Sequence, residues 1–368
     1  MPTPVKMKNV PMHHIKLITR FFVTLQLLLS VATVLCAAEP HSPTPTSTPA
    51  FHIQNEWTLG GEGGWGFLCL DVSTHQLYIP RTNHVMVVNT ETGKVAGDVK
   101  GLTNARNIAL DDSGRFGYVT DVTDGSAGFV RVFDRSTFQL ITSIPTGQIP
   151  YAIVFDPTTK SILVFNSRGH SATVIDTSTK QALTTIPLSG RPSSAIADGE
   201  GNVFVTLPAL GEITRIGAAT RKVTASWPLA PCTGPTGLAI DSVRHQLFTA
   251  CEDHKLIAIN SDTGHATPIG DAPANSGDIN YDSVHNLLFL ADAAGTLTIF
   301  HRDSPTRYSK LQEVKTQPGA RTMIVSRQDD KAYLVTSKFG QNTTATSEEL
   351  QFRPTPIPGT FSILVVGR

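Results

Sequence analysis

The feature that most constrains this chain is a short apolar run, closed by one polar residue, that recurs along most of its length. We call the closing residue the anchor of a repeat, and successive anchors lie 40 to 45 residues apart. The seven runs are GFLCLD to Asp71, NIALD to Asp111, AIVFD to Asp156, SAIAD to Asp198, GLAID to Asp241, DINYD to Asp282 and TMIVS to Ser326. A fixed period of this length indicates a repeat architecture.

Each repeat continues with three further strand-like runs separated by turn residues. The second runs are LYIP, GYVTD, ILVFN, VFVTL, LFTAC, LFLAD and AYLVTS, and third runs such as ATVIDTST and KLIAINSDT follow them. Fourth runs lead into Pro- and Gly-rich stretches, as in LITSIPTGQIP. Four short strands per repeat, seven times, predict an all-β, seven-bladed β-propeller of four-stranded blades, whose apolar faces pack on neighbouring blades.

The two ends of the chain indicate how the ring closes. FHIQNEWTLGG at 51–61 matches a fourth strand, whereas TFSILVVGR at the C-terminus matches a third strand. We therefore expect the last blade to be closed by the N-terminal strand, which removes an open sheet edge. A single propeller domain then spans residues 51–368.

The N-terminus is predicted to be a targeting segment. Lys16 and Arg20 precede an apolar run, and Cys36-Ala37-Ala38 follows it, so residues 1–38 fit a signal peptide. A lipoprotein signal at Cys36 is the alternative, although the bulky Leu35 matches it poorly. Residues 39–50 are a Pro- and Thr-rich linker, and we expect an exported, periplasmic or extracellular protein with no membrane span after cleavage. Loss of residues 1–38 would leave 26 basic against 30 acidic side chains, which argues against nucleic-acid binding.

The ends of the second and third strands resemble the YVTN family of seven-bladed propellers, which includes YncE-like periplasmic proteins. The resemblance lies in YVTD at 118–121, FVTL at 204–207, YLVTS at 333–337 and VIDTST at 174–179. It implies fold and export more firmly than activity, because members of the family include binding proteins, cell-surface modules and domains of redox enzymes.

Several tempting motifs have structural explanations. The anchor aspartates precede turn residues, where a carboxylate can bind its own backbone. GGEGGWG at 60–66 is followed by a strand, whereas a phosphate-binding loop needs a helix, so we expect an inter-blade turn. The sequence contains no HExxH, GxSxG, Walker loop or CxxCH, and we expect no metal, no cofactor and no catalytic residues.

The candidate binding face comprises the loops between second and third strands and the loops that lead into first strands, because their sequences vary between repeats. Arg106 and Arg321 each stand five residues before an anchor. Arg81 and His84 come from the first repeat, Arg168 and His170 from the third, and Arg191 and Lys338 lie on the same face. The acids of this face are Asp121, Asp124, Glu252, Asp253 and Asp292.

We predict an electropositive arc on one side of the central funnel of the propeller, made by Arg106, Arg321, Arg81, His84, Arg168 and His170. Solvated loop charges, or arginines that join neighbouring blades, are the alternative interpretation.

The four cysteines suggest one disulfide. Cys232 and Cys251 lie on the same face of the fifth repeat, and an exported protein meets an oxidising compartment, so we expect them to pair. Cys69 lies inside an apolar strand and is expected to be a free thiol.

The sequence as a whole favours a monomeric binding or interaction module whose ligand is a small anion or a protein partner. The long polar segment 338–359 is predicted to be a flap beside the binding face. The alternative function is a propeller enzyme or enzyme subunit, either a quinoprotein-like oxidoreductase or a lactonase-like hydrolase.

Overall fold

The computed structural model describes residues 50–340 and 355–368. The predicted signal peptide, nearly all of the linker and residues 341–354 of the predicted flap lie outside these described residues. None of the helical segments in the described part of the chain has the length and apolar character that a membrane crossing needs.

The described residues form twenty-eight strands and three single-turn 3₁₀ segments. The first two repeats contain β1 (His52–Thr58), β2 (Cys69–Asp71), β3 (Gln76–Asn89), β4 (Val95–Leu110), β5 (Phe116–Val122), β6 (Gly128–Asp134) and β7 (Leu140–Pro145). The third and fourth contain β8 (Pro150–Asp156), β9 (Ser161–Asn166), β10 (Ser171–Asp176), β11 (Gln181–Pro187), β12 (Ala195–Ala197), β13 (Asn202–Leu207), β14 (Glu212–Gly217) and β15 (Lys222–Pro228). The fifth and sixth contain β16 (Ala239–Asp241), β17 (Gln246–Ala250), β18 (Lys255–Asn260), β19 (Ala266–Asp271), β20 (Ser276–Asp282), β21 (Leu287–Asp292), β22 (Thr296–Ser304) and β23 (Arg307–Lys315). The last contains β24 (Thr322–Ser326), β25 (Lys331–Thr336), β26 (Phe339–Gly340), β27 (Thr355–Pro356) and β28 (Ser362–Gly367), and the 3₁₀ segments are Asp124–Ser126, Pro208–Leu210 and Ser242–Arg244.

These strands form a β-propeller arrangement of antiparallel sheets. Among the described residues there are five four-stranded sheets, one six-stranded sheet and the two-stranded pair β26–β27. Four of the four-stranded sheets contain one repeat each, and the fifth has the order β1-β28-β25-β24. The last sheet therefore combines three C-terminal strands with the N-terminal strand, as the terminal sequences predict.

The prediction of seven separate four-stranded sheets is wrong for the first two repeats, which share the six-stranded sheet β2 to β7. Strand β3 runs through the second and third strand positions of the first repeat, and β4 joins its fourth strand to the first strand of the second repeat. Thr82, at φ 52°, pairs with Ala105 of β4, and Ala105 also pairs with Asp121. Strand pairing therefore continues from the first repeat into the second through Ala105. One apolar cluster containing Tyr78, Val119 and Phe133 joins the two halves of this sheet.

Burial follows the position of a strand in its repeat. Second strands such as β9 are buried along their whole length, whereas outermost strands such as β11 are exposed at almost every residue. A strand covered on both faces has a continuous apolar sequence, which explains runs such as ILVF. The other six apolar clusters each lie between two neighbouring sheets, so the core is a series of interfaces around a ring.

The anchor aspartates are structural, as the sequence indicated. Asp156, for example, is fully buried and accepts a hydrogen bond from the Thr159 backbone N–H at 2.9 Å. The anchors Asp71, Asp111, Asp198, Asp241 and Asp282 accept equivalent backbone hydrogen bonds two or three residues on. Asp71 also contacts the guanidinium of Arg135, which links the first two repeats.

Candidate functional site

The first strands of the repeats surround a central channel of about 260 Å³. Its wall includes the residue four places before the anchor in six of the repeats: Phe67, Asn107, Ala152, Ser194, Gly237 and Asp278. Among the channel-lining residues that the structure describes, Asp278 is the one acid and Arg327 is the one base. The channel is therefore mostly uncharged, so a carboxylate in its wall needs a separate explanation.

The residue five places before each anchor occupies what we call the mouth position of its repeat. In chain order the mouth positions carry Gly66, Arg106, Tyr151, Ser193, Thr236, Gly277 and Arg321. The side chains of Arg106 and Arg321 are exposed, whereas Tyr151 is partly buried. Because the last and first repeats are neighbours in the closed ring, Gly66 lies between the repeats that carry the two arginines.

Glycine at a mouth position lets the next repeat approach closely. A Cβ placed on Gly66 would lie 1.8 Å from the Arg106 carbonyl oxygen, and one placed on Gly277 would lie 2.3 Å from the Arg321 carbonyl oxygen. The backbone N–H of Phe67 donates to Arg106 O at 3.0 Å, and that of Asp278 donates to Arg321 O at 2.8 Å. Both arginines are therefore held at the backbone by the preceding repeat in the ring.

Tyr151 occupies the mouth position of the third repeat, where several charges act on its hydroxyl. Burial raises the pKa of the Tyr151 hydroxyl and the Asp278 carboxylate adds to this effect, whereas the charges of Arg106, Arg321 and Arg191 act in the opposite direction. The Tyr151 ring also packs edge-on against Phe67, with ring centroids 5.4 Å apart. Three guanidinium groups and one carboxylate thus lie within electrostatic range of one phenol at the mouth of the channel.

The guanidinium groups of Arg106 and Arg321 have no acidic partner within ion-pair distance among the described residues; the arginines that do have one are Arg115, Arg131, Arg135, Arg244, Arg307 and Arg368. Arg191 is held differently, because its Nε donates to Ser167 Oγ at 2.8 Å. These contacts orient Arg191 from the third repeat and leave the ends of Arg106 and Arg321 available to a ligand.

Asp278 lies in the channel wall, next to the repeat that carries Arg321. Its Oδ2 accepts the Met323 backbone N–H at 2.9 Å, and its side chain remains partly open to the channel. Burial raises the pKa of Asp278 to about 7, against the opposing effects of the Met323 hydrogen bond and the Arg321 charge. The channel is narrow, so the carboxylate is surrounded by protein while solvent still reaches it.

Arg81 is placed in the protein interior, not on the predicted arc. It is 1% exposed, and its guanidinium stacks over the Phe361 ring at 3.8 Å. Its nitrogen atoms donate to the carbonyl oxygens of Gly60, Glu62, Gly63 and Gly64 at 2.9 to 3.4 Å. The physical reason is that the GGEGGWG turn presents several carbonyl groups that need donors, and the fork of an arginine supplies them.

The remaining members of the predicted arc differ in exposure. His84 is partly buried, with Nδ1 2.8 Å from Asn83 Oδ1 and Nε2 3.6 Å from Asp98 Oδ1. Burial lowers the pKa of His84, and the charges of Arg81 and Lys100 act in the same direction while Asp98 opposes them. Arg168 and His170 are exposed in the loop that follows Ser167. The structure therefore places Arg106 and Arg321 at equivalent exposed mouth positions and buries Arg81 away from solvent.

Two acids of this face are also structural. Asp121 is fully buried and accepts the backbone N–H groups of Thr103 and Asn104 as well as Arg131 Nε. Asp292 is 4% exposed and accepts the Ala294 N–H at the end of its strand. The sulfur atoms of Cys232 and Cys251 lie 2.05 Å apart, with Cα atoms 5.6 Å apart, and Cys69 is a free thiol.

Sequence reasoning missed Tyr151 and Asp278 as members of the site. Tyr151 has the same offset from its anchor as Arg106 and Arg321, so the register itself carried the signal. Asp278 was visible as a charged residue inside a run that is mostly apolar in other repeats.

Comparisons with known proteins support the fold. No protein-family model matches the sequence, and no curated protein matches it. The chain is similar to hydrazine synthase of Kuenenia stuttgartiensis, with a TM-score of 0.64 and 18% identity over 73% of this chain and 91% of that chain. It is also similar to the structure of U3-55K, with a TM-score of 0.67 and 8% identity over 85% of this chain and 98% of that chain. At these identities the two likenesses show the β-propeller fold alone.

Proposed function

We propose that this protein is a binding module that takes a small anionic ligand at the mouth of its central channel. The observation that carries the proposal is the pair of exposed arginines, Arg106 and Arg321, at equivalent mouth positions of two repeats, without an ion-pair partner among the described residues. Guanidinium groups present paired donors that match the oxygen atoms of carboxylates and phosphates. Arg106 and Arg321 are exposed at equivalent positions on either side of the first repeat, so their donors are available to an anion at the channel mouth.

The deciding experiment is a double substitution, Arg106→Ala with Arg321→Ala, assayed for binding of inorganic phosphate and of citrate by calorimetry at low salt. We expect the variant to fold normally and to lose at least about tenfold in affinity, the scale of a lost charge-assisted hydrogen bond. Affinity of the unchanged protein should fall as salt is added, because mobile ions screen exposed charges.

A matched control removes the same net charge away from the channel. Lys94, in a bend, and Lys222, at the start of β15, are exposed, and the double variant Lys94→Ala with Lys222→Ala should bind both anions as the unchanged protein does. Equal loss of affinity in both double variants would mean that the anion responds to net charge alone. A lower melting temperature with unchanged anion binding in the arginine variant would assign the arginines to ring assembly instead.

We also propose that the ring consists of seven repeats of the YVTN type and that the protein is exported. The seven anchors and the apolar cluster inside the six-stranded sheet support the first point, because the two halves of that sheet pack as neighbouring sheets do. The leader-like sequence of residues 1–38 and the bonded sulfur atoms of Cys232 and Cys251 support export. Cell fractionation with N-terminal sequencing tests it, and a retained N-terminus in the cytoplasmic fraction would contradict it.

A further inference from the structure

The mouth of the channel combines three basic groups with one acidic group, and the acidic group limits which anions can bind. Asp278 lines the channel in the first strand of the sixth repeat, and its backbone N–H donates to the carbonyl oxygen of Arg321 in the next repeat at 2.8 Å. An anion drawn in by the arginines meets this carboxylate. It must either be repelled or donate a hydrogen bond to it.

The hydrogen bonds of Asp278 fix which oxygen is available. Oδ2 is occupied by the Met323 backbone N–H, and the Asp278 backbone N–H is occupied by Arg321 O. Oδ1 accepts no hydrogen bond from a described residue. It is not one of the fully buried polar atoms that lack a partner, so solvent reaches it. It can therefore act as an acceptor that is open to the channel.

We propose that Asp278 makes this site selective for anions that carry an O–H group, such as monohydrogen phosphate or a hydroxycarboxylate, over anions that have none, such as sulfate. This inference rests on the proposed function and adds its ligand class. Sulfate offers acceptors only, so its oxygen atoms would face the Asp278 carboxylate with no hydrogen between them. Monohydrogen phosphate has nearly the same size and shape and supplies the missing donor.

The basic groups of the mouth come from three repeats. Arg321 and Arg106 occupy the mouth positions of the last and the second repeat, and Arg191 lies in the loop that leads into the fourth repeat. The three arginines supply the attraction, which phosphate and sulfate share. Discrimination therefore has to come from the acceptor, and the described channel wall contains one acid.

Asp278→Asn keeps the shape of the side chain and the hydrogen bond from the Met323 N–H, but it replaces the free acceptor by a donor. In Asp278→Asn the side-chain oxygen is required by the Met323 N–H, so the amide NH₂ must point into the channel. The acceptor then becomes a donor, which suits sulfate as well as phosphate. Asp262→Asn is the matched control, because it makes the same change at an exposed turn residue that does not line the channel.

The test measures inorganic phosphate and sulfate binding by calorimetry at about pH 8, where Asp278 is mostly ionised. For the unchanged protein we expect phosphate to bind roughly 10- to 100-fold more tightly than sulfate, the range for a hydrogen bond to a charged group. In Asp278→Asn the preference should disappear or reverse through a gain in sulfate affinity, while Asp262→Asn should keep it.

The outcomes separate this inference from the proposed function. Equal binding of phosphate and sulfate by the unchanged protein, or an unchanged preference in Asp278→Asn with a normal melting temperature, would overturn the selectivity and leave the anion site standing. Absence of measurable binding of both anions by the unchanged protein at low salt would overturn both.

Discussion

Replacement of Arg81 tests whether a cationic residue of the binding face is structural. In Arg81→Met the new side chain can fill part of the same volume, but the carbonyl oxygens of Gly60, Glu62, Gly63 and Gly64 lose their donors. Hydrogen bonds to a charged group contribute roughly 1.5–3 kcal/mol each. Two facts reduce the total: the turn residues are at least partly exposed and can recruit water, and an ion leaves the protein interior. We therefore expect the free energy of unfolding to fall by about 2–4 kcal/mol.

Urea unfolding followed by tryptophan fluorescence measures this loss as a lower midpoint at an unchanged slope. Arg168→Met is the matched control, because Arg168 is exposed, and it should change stability by no more than about 0.5 kcal/mol. The reasoning would be refuted if Arg81→Met kept the normal midpoint and lost anion binding as the Arg106 and Arg321 double variant does. Arg81 would then belong to the ligand site as the sequence suggested.

Three further predictions follow from particular contacts. Gly66→Ala should destabilise the protein by at least about 2 kcal/mol, because its Cβ would meet the Arg106 carbonyl, whereas Gly64→Ala, with no atom within 4 Å of the new Cβ, should be nearly neutral in the same urea assay. Thiol titration of the unfolded, unreduced protein lacking residues 1–38 should find one free thiol, and three free thiols would contradict the pairing of Cys232 with Cys251. Replacing both cysteines by Ala should lower the free energy of unfolding by about 3 kcal/mol, for a sequence separation of 19. Asp278→Asn should raise the melting temperature more at about pH 8 than at about pH 4. Burial raises the pKa of Asp278 to about 7 in the folded protein, so the unchanged protein loses stability as pH rises from the unfolded pKa of about 3.9 through about 7. A constant difference in melting temperature across that window would show that burial does not penalise the ionised carboxylate.

The fold was largely readable from the sequence because the same physical requirement recurs in each repeat. A second strand buried on both faces must be a continuous apolar run, and an anchor carboxylate must meet backbone N–H groups in the following turn. The merging of the first two repeats into one sheet was not readable. It depends on the conformation at Thr82 and on the pairing of Ala105 with strands on both sides, and neither residue is unusual in sequence.

The candidate site was readable only in part. The offset from the anchor identified Arg106 and Arg321, because register places equal offsets at equal heights in the ring. Sequence could not show that Arg81 is buried, since a polar residue in a hairpin loop normally meets water, and the carbonyl groups that enclose it come from residues about twenty places earlier. The exposure of loop residues depends on long-range contacts, whereas the register of strands does not.

The same register offers a way to separate fold from function in this molecule. A residue type that recurs at one position in every repeat is explained by the architecture, as the anchors are. At the mouth position the fold accepts Gly, Ser, Thr and Tyr in five repeats, so the architecture does not require a charge there. Arginine nevertheless occupies this position in the two repeats on either side of Gly66, each exposed and each held by its backbone to the preceding repeat. A guanidinium that the ring does not need, exposed at the channel mouth and without an ion-pair partner among the described residues, has its simplest physical explanation in a ligand that it binds.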